Sequence, residues 1–148
     1  MRYQNTNFNC GPAALANALE VYGKKVTQEA IAAIAKTTTE GTDEAGLIRA
    51  TKKNGFVPYK IRMKIGSVAF NDLWIQLGLG RPVILCVDKW THWVAAVGLV
   101  GRKVIISDPA YDDYVKYMSE DDLLTWWGYK KRFNGFIISD VELANIIT

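Results

Sequence analysis

Four side chains in this 148-residue chain have the types and spacing of a nucleophilic acyl-transfer site. Cys10 stands directly before Gly11-Pro12, in the stretch QNTNFNCGPAAL, where the sequence turns helical. A thiol at a helix N-terminus meets unpaired N–H groups and the positive end of the helix dipole; both favour an anion and lower its pKa. His92, the one histidine of the chain, opens the strand-like run HWVAAVGLV, and Asp108 closes the next such run. A thiol, a base to take its proton and a carboxylate to hold the base's tautomer are the set that thiol acyl chemistry needs. Gln4, six residues upstream of Cys10, would bring a side-chain amide beside the thiol and form an oxyanion hole with the Cys10 backbone N–H. Gly11 would leave room for a substrate backbone to approach.

The elements that must position these residues follow from periodicity and punctuation. GPAALANALEVY predicts a first helix from Cys10, with Pro12 in its first turn, Gly23 at its C-terminal cap and a buried stripe of Ala14, Leu15, Ala18, Leu19 and Tyr22. TQEAIAAIAKT predicts a second helix capped by Thr27, and a third runs from about Asp43 to Asn54 and stops at Gly55. VPYKIRMKI then alternates apolar and basic residues, as a strand with one exposed face does. VAFNDLWIQLGLG reads as a helix, and RPVILCVD, HWVAAVGLV and RKVIISD as three consecutive antiparallel strands joined by short connections. SEDDLLTWW is a short helix with Ser119 as its cap, and NGFIISD a last strand. Helices first and an antiparallel sheet after them make an α+β domain of two layers, read as one domain over residues 1–148.

Strand parity gives a register test. Side chains alternate faces along a strand, so His92 and an acid on the neighbouring strand must share parity in the pairing. A hairpin centred on Gly101 sets Val94 opposite Asp108 and makes His92 and Asp108 diagonal neighbours on one face. A two-residue turn would separate them unless a bulge intervened; an odd-length connection is therefore expected. Asp88, at the end of the preceding strand, is a rival acid that would reach His92 across Lys89-Trp90-Thr91. Trp90 and Trp93 flank His92, one to shield the imidazole from water and the other as core. Trp126 and Trp127 read as packing or as a wall of the substrate cleft, and Tyr111, Asp112 and Asp113 as a surface turn.

Composition narrows the classes. Apolar residues make up 49% of the chain and charged residues 22%, which is enough apolar surface for one real core and excludes a disordered segment. No run approaches the roughly 20 apolar residues that span a bilayer. RYQNTNFN after Met1 has no apolar core of a signal peptide, which points to a cytoplasmic protein. Two cysteines make neither a disulfide framework nor a zinc site, so Cys10 and Cys86 read as free thiols, Cys86 as core filler. No cofactor or metal is implied. The net charge of +3 is modest. From Ala45 to Asn71 there is no acidic residue, and Arg49, Lys52, Lys53, Lys60, Arg62 and Lys64 make a solvated face or a surface for an acidic partner. Without a nucleic-acid motif, that stretch is a poor nucleic-acid site.

Taken together, QNTNFNCGPAAL, THWVAAVGL and ISDPA resemble the papain-like cysteine peptidases of the bacteriocin-processing type, which cleave leader peptides after a double glycine. EGTDEAGLIRATKKNGF resembles the same family's Gly-Thr followed by a helix ending in Gly-Phe, so the likeness runs over about residues 4–136. The resemblance implies a papain-like fold with N-terminal helices packed on an antiparallel sheet, and thiol hydrolysis of peptide bonds. It makes Cys10 the nucleophile, His92 the general base and later acid, Asp108 rather than Asp88 the orienting carboxylate, and Gln4 the oxyanion donor. A typical member is fused to an ABC exporter, and nothing here spans a membrane. The implied partner is a peptide or protein substrate. A transglutaminase or deamidase with the same triad, or a peptide-binding module that does not cut, are the competing functions.

Overall fold

The computed structural model describes residues 8–110 and 115–142; Gln4, Tyr111, Asp112 and Asp113 lie outside them. Among these described residues, five helices and six strands follow in the order α1 (Cys10–Glu20), α2 (Gln28–Ala35), α3 (Glu44–Lys53), β1 (Val57–Met63), α4 (Gly66–Gly78), β2 (Val83–Val87), β3 (His92–Val100), β4 (Lys103–Ser107), β5 (Val115–Met118), α5 (Glu120–Trp127) and β6 (Phe133–Ser139). Local chemistry explains the starts. The Thr27, Asp43 and Ser119 side chains accept hydrogen bonds from the N–H groups of Ala30, Gly46 and Asp122, which caps α2, α3 and α5. Asn9, the N-cap residue of α1, makes no such side-chain cap.

The strands form one antiparallel sheet in the order β1-β6-β2-β3-β4-β5. Sequence order predicts β2, β3 and β4 side by side, as found. It does not predict that β6 enters between β1 and β2, nor that the four residues of β5 add an edge strand. Alternation sends each strand's side chains to two cores. Ile84, Cys86, Trp93, Ala95, Phe136 and Ile138 meet α1, α2 and α3 on one face. Val83, Leu85, Val87, Val94, Ala96, Val104, Ile106 and Ile137 meet α4 and α5 on the other. The expected two layers are therefore three, because the later helices cover the face that the first three leave bare. A strand covered on both faces must be apolar at every position, which is why Val83–Val87 is buried throughout.

The register expectation needs one correction. Val100 pairs with Lys103, so Gly101 and Arg102 form a two-residue turn, not an odd-length one. Gly101 has φ 58°, as the first central residue of a tight hairpin turn of the primed type requires. Such a turn alone would put His92 and Asp108 on opposite faces. A bulge between Ala96 and Gly98 adds one residue to β3, and beyond it Ala96 pairs with Ile106 and Ala95 with Ser107. Continuing that pairing sets Asp108 opposite Val94 and diagonal to His92, the shared face that the sequence expectation asked for. Among the described residues no helix is long and apolar enough to cross a membrane.

Candidate active site

α1 carries the thiol. Every residue from Gly11 to Leu19 is buried, so this Ala-rich helix runs through the interior and not along a half-exposed stripe. Its axis dipole is poorly screened there, and helix geometry leaves the N–H groups of the first turn without intrahelical acceptors. The Gly11 and Trp93 backbone N–H groups and the His92 side chain all act on the Cys10 thiol. Burial is the largest influence on the thiol and pushes its pKa up. The His92 hydrogen bond, the Trp93 N–H, the imidazolium charge and the Gly11 N–H act against it and win, so Cys10 is held below the usual cysteine range.

Gly11 does not serve the role expected of it. A Cβ there would lie 3.3 Å from Leu47 Cδ2, Thr42 Cβ and Trp93 Cδ1. The space is taken by the protein's own side chains, and the glycine lets α1, α3 and β3 close together. Thr42, from the Gly-Thr before α3, accepts a 2.9 Å hydrogen bond at its carbonyl from Trp93 Nε1. It also lines a hollow of about 550 Å³ bounded by Lys36, Thr38, Glu40, Asp43 and Arg49. Cys10, His92 and Asp108 do not line that hollow.

His92 is the first residue of β3, and its Nε2 lies 2.6 Å from Asp108 Oδ1. With Nε2 engaged by the carboxylate, Nδ1 is the nitrogen left for the Cys10 sulfur. Burial pushes the imidazole pKa down, but the hydrogen bonds and charges of Asp108 and Cys10 outweigh it and raise the pKa to about 9. Asp108 is fully buried. Its Oδ1 also accepts the Ala110 N–H at 3.1 Å, and Lys116 Nζ lies 3.0 Å from its Oδ2. Burial pushes this carboxyl up; His92, Lys116 and the Ala110 N–H overcome that and hold it below the usual carboxylate range. A helix start, a strand start and a strand end thus bring thiol, imidazole and carboxylate together, with His92 hydrogen-bonded to Asp108 and acting on Cys10. Residues 1–131 match the family model of the Peptidase C39 family.

The chain belongs to the peptidase C39 family.

This C39 peptidase is a cysteine-type peptidase with a fold shared by solved domains of its kind. It is similar to the peptidase domain of Streptococcus ComA, a bi-functional ABC transporter involved in a quorum sensing pathway: the TM-score is 0.76 at 26% identity, covering 95% of this chain and 97% of that one. A putative C39-like peptidase from Bacillus anthracis matches with a TM-score of 0.74 over 96% of this chain and 94% of that one; its 14% identity bears on the fold alone. In sequence it is 26% identical over 121 residues to the lactococcin-G-processing and transport ATP-binding protein LagD of Lactococcus lactis subsp. lactis. That match covers 80% of this chain but only 16% of the relative's length. It is also 28% identical over 107 residues to an uncharacterized protein of Methanothermobacter thermautotrophicus, covering 72% of this chain and 69% of that one.

The C39 peptidase departs from the sequence expectations in what surrounds the three side chains. The ring that meets His92 is Trp126, with centroids 6.3 Å apart and planes at 49°. Trp90 stands edge-on to Tyr129 instead, and Trp93 is core. Trp127 is fully buried, so of the adjacent pair only Trp126 belongs to the site. Asp88 is exposed and shows no link to His92; it begins a turn in which Asp88, Lys89 and Trp90 all have positive φ, a costly backbone for non-glycine residues. Cys86 is buried, and burial pushes its thiol up to about 12, as suits core filler. The basic stretch is partly used internally: Arg49 donates to the Ile34 and Ala35 carbonyls, and Lys60 and Arg62 pair with Glu44. Three residues escaped the sequence reading: Asn17, whose Nδ2 donates to Ser107 Oγ at 2.9 Å, Ser107 itself, and Lys116. A polar residue inside the apolar run of α1 was the available signal for Asn17.

Proposed function

We propose that this domain hydrolyses peptide bonds through Cys10, His92 and Asp108, and that its substrate is a leader peptide cut after small residues. The His92–Asp108 hydrogen bond, together with the action of His92 on the Cys10 thiol, carries the reading. The lowered thiol and the raised imidazole both favour the thiolate–imidazolium form of the pair. The thiolate attacks the scissile carbonyl. The Cys10 backbone N–H and the Gln4 side chain are the proposed donors to the oxyanion. The imidazolium then gives its proton to the leaving amine, and a cysteinyl thioester forms as the C–N bond breaks. Neutral His92 next takes a proton from water, whose oxygen attacks the thioester and frees the carboxyl product and the thiol. Asp108 stays ionised throughout, keeping the Nε2 proton in place and stabilising the imidazolium.

The substrate class is supported by the relatives. One is named for lactococcin-G processing, and a double glycine motif protease from an AMS/PCAT transporter, solved with its leader peptide, shares the fold at a TM-score of 0.71 and 19% identity, covering 94% of this chain and 89% of that one. Residues 1–148 are proposed to be one peptidase domain acting in the cytoplasm. Mass spectrometry on synthetic peptides with Gly-Gly and Gly-Ala junctions tests the reaction: two fragments from the wild type and none from Cys10→Ala are expected. A one-dalton gain would make the protein a deamidase, a cross-link would make it a transglutaminase, and cutting by Cys10→Ala would end the proposal.

A further inference from the structure

Lys116 lies on the edge strand β5, where a lysine ordinarily faces water. On β5, Met118 pairs with Val104 and Lys116 with Ile106, residues whose side chains belong to the core under α4 and α5. Lys116 therefore shares the inward face, while Tyr117 between them is 58% exposed. The lysine's ammonium reaches Asp108 Oδ2 at 3.0 Å, and Oδ2 has no aligned hydrogen bond among the described residues. The same ammonium lies 4.8 Å from the centre of the Trp126 ring, the ring that also covers His92. One carboxylate is thus shared by two cations beneath one indole. Ala110 N–H and His92 both hold Oδ1, so the carboxylate keeps its orientation whether or not Lys116 is present.

We propose that Lys116 acts on the Cys10–His92 pair through Asp108, drawing off part of the carboxylate's charge so that the imidazolium can release its proton to the leaving amine. Lys116 is a positioning residue in this scheme, since it touches neither the thiol nor the imidazole. A carboxylate with a single cation would bind the imidazolium more tightly and make it a poorer acid; the second cation keeps the pair balanced. Among the described residues, the charged groups around the carboxylate are His92 from β3 and Lys116 from β5. Cys10 comes from α1 on the far side of the ring, α5 contributes the uncharged Trp126, and Asp88 and Lys89 in the β2–β3 turn are exposed. A lysine on an edge strand also discourages pairing with another chain, but that role does not reach the titration of His92.

The inference rests on the catalytic reading above, and one experiment separates the two. His92 is the single histidine, so its ring resonances titrate without ambiguity. Lys116→Met keeps the aliphatic stem beneath Trp126 and removes the charge. It is expected to raise the His92 titration midpoint by about 0.5–1 unit, the size of a like charge acting across a partly screened site; Lys116→Arg is expected to return it to the wild-type value. The pH profile of Cys10 alkylation by iodoacetamide should shift in the same sense. An unchanged or lowered midpoint in Lys116→Met, with wild-type Cys10 still labelling fast, overturns the role of Lys116 and leaves the triad standing. Wild-type Cys10 labelling no faster than a free model thiol overturns both. Should Lys116→Met not fold, Lys116→Gln carries the same two outcomes.

Discussion

Asp108→Asn isolates what the buried carboxylate contributes, because the structure constrains how the amide can sit. Oδ1 accepts from His92 and from the Ala110 N–H, while Oδ2 faces the Lys116 ammonium. An asparagine with its oxygen in the Oδ1 place keeps both of those bonds and turns its NH2 toward Lys116. The flipped amide would set NH2 against the Ala110 N–H, a buried donor facing a donor. Lys116 is 35% exposed and can swing into water, so the first arrangement wins. The imidazole then keeps its tautomer and loses the negative charge. The His92 pKa stands at about 9, against 6.5 for an ordinary imidazole. At 1.36 kcal/mol per unit that gap is roughly 3 kcal/mol, of which Asp108 supplies the leading share and Cys10 the rest. Burial, which lowers the imidazole, remains. The His92 midpoint is therefore expected to fall by roughly two units, and the thiolate–imidazolium pair at neutral pH to weaken by about 100-fold. Histidine NMR titration reads the first quantity, and the rate of Cys10 alkylation between pH 5 and 10 reads the second. A midpoint still near 9 in Asp108→Asn would refute the electrostatic account of this site.

Two further substitutions probe the scaffold. Asn17 and Ser107 are fully buried and tie the middle of α1 to the residue before Asp108. Asn17→Ala leaves a buried hydroxyl without that donor and should cost about 1–3 kcal/mol, a fall in Tm of several degrees by calorimetry; an unchanged Tm would show that the tie contributes nothing. A Cβ at Gly135 would lie 2.2 Å from the Ile84 carbonyl oxygen and 3.3 Å from Leu85 Cα, both backbone of β2, so Gly135→Ala should exceed the ~1–3 kcal/mol of ordinary overpacking. Gly78→Ala meets nothing within 4 Å and should be neutral or stabilising by up to about 1 kcal/mol; similar denaturation midpoints for these two variants would contradict the packing described.

The proposed catalytic residues were legible because each sits at a boundary that sequence marks well. Cys10 precedes Gly-Pro at a helix start, His92 opens an apolar run and Asp108 ends one. Their helices and strands follow from caps and periodicity. What sequence obscured is the product of tertiary packing. The shared face of His92 and Asp108 depends on turn length and bulge together, and only their combination is constrained; a two-residue turn with a bulge near Val97 looks the same as a three-residue turn with none. The insertion of β6 between β1 and β2 is a long-range pairing that local pattern does not encode. The unbroken apolar run Val83–Val87 did hold a sign that helices cover both faces, and it reads so once a strand buried on both sides is considered. Trp126 and Trp127 are adjacent in sequence and differ only by helical phase, so one covers His92 and the other fills the core. Lys116 gave no signal, since a lysine in a short edge strand is expected to face water.

The proposed reaction depends on Cys10 being held below the usual cysteine range by His92 and the Trp93 and Gly11 N–H groups. Its most direct test is the site and rate of carboxamidomethylation at pH 6.5, read by peptide mass spectrometry with Cys86 as internal control. A rate at Cys10 well above that of a model thiol, no adduct at Cys86 and a steep loss in His92→Ala are predicted. Labelling of Cys10 at or below the model-thiol rate, or a rate that His92→Ala leaves unchanged, would contradict the account.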